Sequence, residues 1–285
     1  MSLLQAIILG IVQGLTEFIP ISSTAHLVVA MRAMNLPLTP EQTTASIAVI
    51  QLGTLLAVLI YFARDILSIT VAFIRDHLNL LKRNDGGGRR LSHEAWLGWL
   101  IIIGTLPVVI VGLLFKKQIE GTFTKNLCVI ATMMIVVAVL LAIAEMVSRQ
   151  RKRMDDLGAG DALAVGFAQC LALIPGSSRS GSTIMAGLFA GQTRETAARF
   201  SFLLSIPAVA ASGLLELVEA MHKLPQGSLM SLAIGTIVSG IVGYLSIWFL
   251  LRYLRTHSTG IFIGYRLIVG GAILIALFMG KLSAL

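Results

Sequence analysis

Two short stretches of an otherwise apolar chain hold the side chains that could do chemistry. The first, QGLTEFIPISSTAHL at residues 13–27, carries Gln13, Thr16, Glu17, Ser22, Ser23, Thr24 and His26, with Pro20 in its middle. The second, PGSSRSGST at residues 175–183, joins a Pro-Gly turn to a run of serines, Thr183 and Arg179. Gln13 and Glu17 are spaced i, i+4, so a helix puts them on one face. A carboxylate beside an amide oxygen suits a hard cation such as Mg²⁺, which takes oxygen ligands and keeps several waters. Ser23 and His26 become neighbours if a helix starts near Ser22. A serine beside a histidine can be an activated nucleophile with the imidazole as general base. Capping of that helix is the plainer use of Ser22 and Ser23, and one serine is expected in each role. In the second stretch, a helix beginning near Ser180 would aim its N–H groups and positive dipole end into the interior, which makes an anion site. The planar guanidinium of Arg179 adds a fork of donors suited to phosphate oxygens. An ionisable side chain at the bilayer centre costs about 2.5–3.5 kcal/mol. Bringing Glu17 and Arg179 together relieves part of that cost, and a purely structural ion pair is the simplest alternative. Taken together, the residues point to phosphoryl chemistry on a substrate that reaches a membrane-buried site, and a lipid phosphate fits best.

The elements that position these residues are set by composition. The chain has 285 residues, 56% hydrophobic and only 13% charged, with mean hydropathy +0.88. A soluble domain carries about 25% charged residues, so this is an integral membrane protein. The absence of alternating ten-residue segments argues against a barrel, and helices remain as the way to satisfy backbone polar groups in lipid. The net charge of +8 reflects basic loops rather than nucleic-acid binding. Cys128 and Cys170 lie in apolar segments and read as packing residues. The N-terminus has neither a basic n-region nor a small-residue cleavage site, so no removable signal peptide is expected.

Six segments are long enough to span: about 46–63, 95–115, 126–147, 200–221, 228–251 and 261–281. The regions 3–30 and 161–191 are different. Each reads as a short apolar helix, a polar Pro/Ser turn and a second short helix, that is, a re-entrant hairpin. They also resemble each other. Gly10, Gln13 and Leu15 align with Gly166, Gln169 and Leu171, and after a one-residue gap Pro20, Ser22 and Ser23 align with Pro175, Ser177 and Ser178. Basic residues collect on one face, at Arg64, Arg75, Lys82, Arg83, Arg89, Arg90, Arg149, Arg151, Lys152, Arg153, Arg194, Arg199, Arg252 and Arg255. Fewer lie opposite, at Arg32, Lys116, Lys117, Lys125, Lys223 and Lys281. The richer face should be cytoplasmic, with both termini outside. The expected fold is thus all-α and integral to the membrane, with six transmembrane helices plus two re-entrant helical hairpins in an inverted-topology repeat. It forms a single domain over 1–285, with repeat 1 at about 1–115, repeat 2 at about 160–251 and a flexible cytoplasmic loop at about 75–94 holding solvent-exposed His77 and His93. Gln51 and Arg266 could line the site, with helix packing or snorkelling as the alternative.

With these motifs assembled, the chain resembles the bacterial undecaprenyl-diphosphate phosphatases, the bacitracin-resistance family. The likeness runs from GIVQGLTEFIPISSTAHL through IQLGTLLAV, QCLALIPGSSRSGSTI and FSFLLSIPA to the Tyr-Arg pair at 265–266. The resemblance implies removal of the terminal phosphate from undecaprenyl diphosphate, which recycles the lipid carrier for peptidoglycan and other envelope polymers. It further implies a divalent cation, Mg²⁺ or Ca²⁺, a homodimer, and a site opening on the outer face of the bacterial cytoplasmic membrane. By position, Glu17 matches the family's essential acid, Gln13 its partner in metal binding and His26 the catalytic histidine. Ser22 and Ser23 match the serine pair, with Ser22 and Thr24 on the substrate. Arg179 matches the diphosphate-binding arginine, flanked by Ser178 and Ser180. Gln13 stands where many members carry glutamate, and Ala25 where glycine is common. Two routes stay open: Ser23 attacks with His26 as base, or His26 attacks phosphorus directly. A lipid transporter is the competing class, because inverted repeats and interrupted helices also build transporters.

Overall fold

The computed structural model describes residues 1–36, 39–81, 91–115, 126–220 and 229–282. Among these the chain is all-helical. In order the helices are α1 (Leu3–Phe18), α2 (Ser23–Ala33), α3 (Pro40–Tyr61), α4 (Ala63–Leu81), α5 (His93–Leu114) and α6 (Leu127–Val147). They continue as α7 (Ala159–Gln169), α8 (Arg179–Phe189), α9 (Arg194–Ala220), α10 (Leu229–Leu254) and α11 (Gly260–Phe278). Short 3-10 turns occupy Met154–Asp156 and Cys170–Leu173.

Local chemistry starts several of these helices. Ser2 and Gln5 form a capping box on α1, Thr39 and Gln42 form another on α3 ahead of Pro40, and Asn126 caps α6 by accepting from the Cys128 N–H. Among the described residues, α5, α6, α10 and α11 are each long and apolar enough to cross a membrane, and α3 with α4 makes a further candidate bent by 67°. The expected span at 200–221 lies within α9, which is continuous through Pro207. The loop expected at 75–94 is shorter than the sequence suggested. Helix α4 runs on to Leu81, and His93 already begins α5. His77 is not simply solvent-exposed: its Nδ1 meets the Phe73 carbonyl at 2.7 Å, and the Trp99 indole donates to its Nε2 at 3.1 Å. His93 pairs with Asp155 at 3.0 Å. The centre of that loop, with Lys82, Arg83, Arg89 and Arg90, lies outside the described residues, as do Lys116, Lys117, Lys125 and Lys223.

The two short helix–turn–helix units have the same frame. Leu3 and Ala159 start their first helices, Ser23 and Arg179 their second, and Ala33 and Phe189 end them, all at one constant offset. The alignment therefore needs no gap. Ser22 corresponds to Ser178, not to Ser177, and both have positive φ, 77° and 66°. The corresponding glycines make corresponding contacts. A Cβ on Gly10 would sit 2.4 Å from the Gly235 carbonyl oxygen of α10, and one on Gly166 would sit 2.3 Å from the Gly104 carbonyl oxygen of α5. Only glycine permits such backbone contact between helices.

These contacts fix direction. Along α1, Gly10 meets Gly235, Gly14 meets Ser239 and Gly243, and Phe18 meets Gly243, so α1 runs parallel to α10. It stops while α10 continues to Leu254, about 16 Å further at roughly 1.5 Å per residue. Helix α7 starts at the other end of the bundle, where the Trp96 indole donates to the Leu157 carbonyl at 3.3 Å, and runs alongside α5. That end is tied by ions: Arg199 to Asp65 at 2.8 Å, Arg255 to Glu195 at 2.9 Å, Lys152 to Asp161 at 2.6 Å, and Arg194 to Glu145. A core around Phe18, Phe62, Phe200 and Phe202 packs between the two units, with Phe18 edge-on to Phe202 at 5.4 Å.

Candidate active site

The last turn of α1 and the first turn of α8 meet in the middle of the bundle. Glu17 Oε1 accepts from Arg179 Nη2 at 2.8 Å, with the two side chains only 8% and 14% exposed. Glu17 Oε2 accepts from the Gln13 amide at 3.1 Å, and that amide lies 3.4 Å from the Thr54 hydroxyl on α3. The other guanidinium nitrogen, Arg179 Nη1, is buried without a protein partner. A buried donor left unsatisfied costs on the order of 1–3 kcal/mol, and more when charged. It therefore marks a place where an acceptor belongs.

Around this pair the polar stretches behave as two unequal caps. Helix α8 starts at Arg179, with Ser178 as its N-cap, and Ser178 Oγ accepts from the Gly181 N–H at 3.1 Å. Ser178 and Ser180 lie 3.2 Å apart, and Ser180 reaches the Ile19 carbonyl of the first turn at 3.4 Å. Helix α2 starts at Ser23 with Ser22 as N-cap, but the Ser22 side chain makes no capping bond. The first N–H groups of α2, from Ser23 and Thr24, thus keep their donor capacity at a second helix N-terminus. Thr24 is exposed, Ser22 is buried and Ser23 lies between.

His26 is held at both nitrogens. Nδ1 is 2.6 Å from the Ser22 carbonyl, and Nε2 is 2.7 Å from the Tyr265 hydroxyl on α11. The structure does not bring Ser23 into a hydrogen bond with His26. Arg266, the next residue on α11, is 0% exposed. Its donors reach Pro20 O at 3.2 Å in the first turn, Gly176 O and Ser177 O at 3.0 Å each in the second, and Met134 O at 3.1 Å on α6. It does not snorkel. Gln51 contributes its carbonyl, which accepts from the Thr54 hydroxyl at 2.8 Å. Tyr265 and Thr54 were not singled out from sequence. Thr54 follows Gln51 by one helical turn in an apolar run, a faint polar signal. Tyr265 enters the sequence reading only as half of the Tyr-Arg pair in the family resemblance, with no role attached to it.

A resident cation does not fit these residues. Both Glu17 oxygens already accept from nitrogen donors, one of them cationic, and no group of three or more His, Cys, Asp or Glu is placed to hold a metal among the described residues. A cavity of about 800 Å³ lies elsewhere, at the arginine-rich end beside Asp65, Arg194, Arg199 and Arg255.

A buried carboxylate–guanidinium pair beside the N-termini of α2 and α8, set in an all-helical frame with several apolar spans, belongs to a polytopic membrane protein. The chain belongs to the bacitracin resistance protein BacA family, which it matches over residues 6–272. It is 54% identical over 280 residues to the undecaprenyl-diphosphatase of Syntrophobacter fumaroxidans, covering 98% of both chains. It is similar to the proteins of that name from Chloroherpeton thalassium, at 48% identity, and Mycolicibacterium gilvum, at 46%, over 100% of both chains in each case.

Proposed function

We propose that this chain hydrolyses undecaprenyl diphosphate to undecaprenyl phosphate and inorganic phosphate, which recycles the carrier for peptidoglycan and envelope polymers and confers bacitracin resistance. The observation that carries the reading is Arg179: one nitrogen bound to Glu17, the other buried and lacking an acceptor, at the start of α8. A phosphate oxygen there would satisfy the guanidinium and meet the N–H groups of α8 and α2, aided by Ser178, Ser180, Ser22 and Thr24. Cleavage breaks the bond between the bridging oxygen and the terminal phosphorus, and the lipid phosphate leaves. In the first route Ser23 Oγ attacks that phosphorus and its proton passes to His26, after which water releases phosphate from the serine. In the second, His26 Nε2 attacks directly, and water then releases phosphate from the histidine. The hydrogen bonds of His26 go to the Ser22 carbonyl and the Tyr265 hydroxyl and not to Ser23, which favours the second route; the lone pair left on Nε2 would serve either.

A divalent cation, Mg²⁺ or Ca²⁺, is proposed as the counter-ion of the diphosphate rather than as a resident of Glu17 and Gln13, and none of the steps above uses it. The membrane layout proposed is six spans, with α1–α2 and α7–α8 as re-entrant hairpins entering from opposite faces. The arginine-rich end is cytoplasmic, both termini and the site mouth face outward, and two copies form a homodimer. The parallel courses of α1 with α10 and of α7 with α5 support this arrangement. The test is phosphate release from a polyprenyl diphosphate in detergent. Release by the wild type and its loss in Arg179→Ala are expected. Movement of intact lipid without release would mark a transporter.

A further inference from the structure

We infer that Tyr265 is the positioning residue of His26, fixing which imidazole nitrogen faces the substrate. This rests on the phosphatase reading for its kinetic consequence but not for its structural one. Tyr265 and His26 are 239 positions apart, yet the phenol oxygen lies 2.7 Å from Nε2 and the two rings are within 13° of parallel. The Ser22 carbonyl can only accept, so Nδ1 at 2.6 Å is the protonated nitrogen of the neutral ring. Nε2 is then the acceptor, and the tyrosine hydroxyl donates to it.

Two features make this contact more than a surface encounter. Ser22 is the N-cap of α2, and its carbonyl faces both the His26 backbone N–H at 3.5 Å and Nδ1 at 2.6 Å. Arg266 anchors α11 to α6 and to both turns through backbone carbonyls, so the neighbouring Tyr265 is held at a set height against α2. Tyr265 is 40% exposed, so its hydroxyl can swing off Nε2 as a substrate phosphorus approaches from the rim, without disturbing the Nδ1 bond. The ring thus waits in the productive tautomer with its basic nitrogen outward.

The experiment uses ¹⁵N-histidine-labelled full-length protein in detergent, with the His26 resonances identified by their loss in His26→Gln. The wild type should show a protonated Nδ1 and a hydrogen-bonded, unprotonated Nε2. In Tyr265→Phe the Nε2 resonance should move toward that of an unbonded nitrogen, with kcat down about tenfold and KM nearly unchanged. An unmoved resonance, or a moved one with wild-type kcat, overturns the inference. If Tyr265→Phe does not fold, 3-fluorotyrosine at this position, a stronger donor of the same shape, should move Nε2 in the opposite sense, and no movement overturns the inference. Failure of the wild type to release phosphate would sink the phosphatase reading and leave the resonance test standing.

Discussion

Glu17 and Arg179, 162 positions apart in sequence, meet at 2.8 Å between the ends of two helices that enter the bundle from opposite ends. Neither helix alone has a use for its charge. The pair is an electrostatic weld between the two units, and beside it Arg179 Nη1 is buried without a protein partner.

Arg179→Ala should abolish phosphate release and also destabilise the protein, because it leaves a carboxylate buried alone; breaking such a pair costs about 3–5 kcal/mol. The double variant Glu17→Gln/Arg179→Met should recover most of the thermal stability and none of the activity. Recovered activity would remove the site from this pair.

Ser23→Ala separates the two chemical routes. With His26 as nucleophile, the variant should keep measurable turnover and trap phosphate on His26, detected by mass spectrometry under conditions that preserve phosphohistidine. Complete loss, with no modified His26, would favour serine attack.

Gly10→Ala and Gly166→Ala should each lower stability by roughly 1–3 kcal/mol, since the added carbon would lie 2.4 and 2.3 Å from a partner backbone oxygen. Gly112→Ala on α5, with nothing within 4 Å, should be neutral or slightly stabilising. Thermal unfolding in detergent reads all three. Equal effects would mean that the helix contacts are looser than their geometry.

Chelation with EDTA should stop turnover while leaving the melting temperature unchanged, because the cation travels with the diphosphate. A fall in melting temperature without substrate would indicate a resident metal.

Arg266→Met should be more damaging than its distance from the chemistry suggests. It removes the donor that Arg266 supplies to the carbonyls of Pro20, Gly176 and Ser177 and frees both turns at once. Loss of activity together with raised hydrogen exchange at residues 19–22 and 175–178 is expected. Wild-type exchange at both turns would deny it the role of clamp.

Much of this was legible in the chain because the strongest signals are local. Charge at membrane depth is costly wherever it occurs, so Glu17 and Arg179 stood out and their meeting could be foreseen. Among the described residues, four of the expected spans fall on helices long and apolar enough to cross a membrane, α5, α6, α10 and α11, and the segment at 200–221 lies within α9. What escaped depended on distant geometry. Tyr265 looks like any aromatic on an apolar helix until α11 is packed against α2. Arg266 gave no hint whether it would snorkel or be buried among carbonyls. The extension of α4 to Leu81 was hidden by its polar residues, whose partners are Ser92, the N-cap of α5, and Trp99 within α5. The gap placed between the repeats came from matching proline to proline, whereas the backbone matches Pro20 to Gly176, and a Cβ on Gly176 would run into the Ile130 carbonyl at 2.1 Å.

The gapless register of the two units has its own meaning. What the copies share is a scaffold measured in residues; what they do not share is the chemistry hung on it. At corresponding stations one copy carries Glu17, Ser23 and His26, and the other carries Leu173, Arg179 and Ser182. Each copy is therefore useless without its opposite, and the centre works as a lock assembled from two differently cut halves of one blank. Adding a single residue to either half would turn the side chains beyond it by about 100° around the helix and unseat the match.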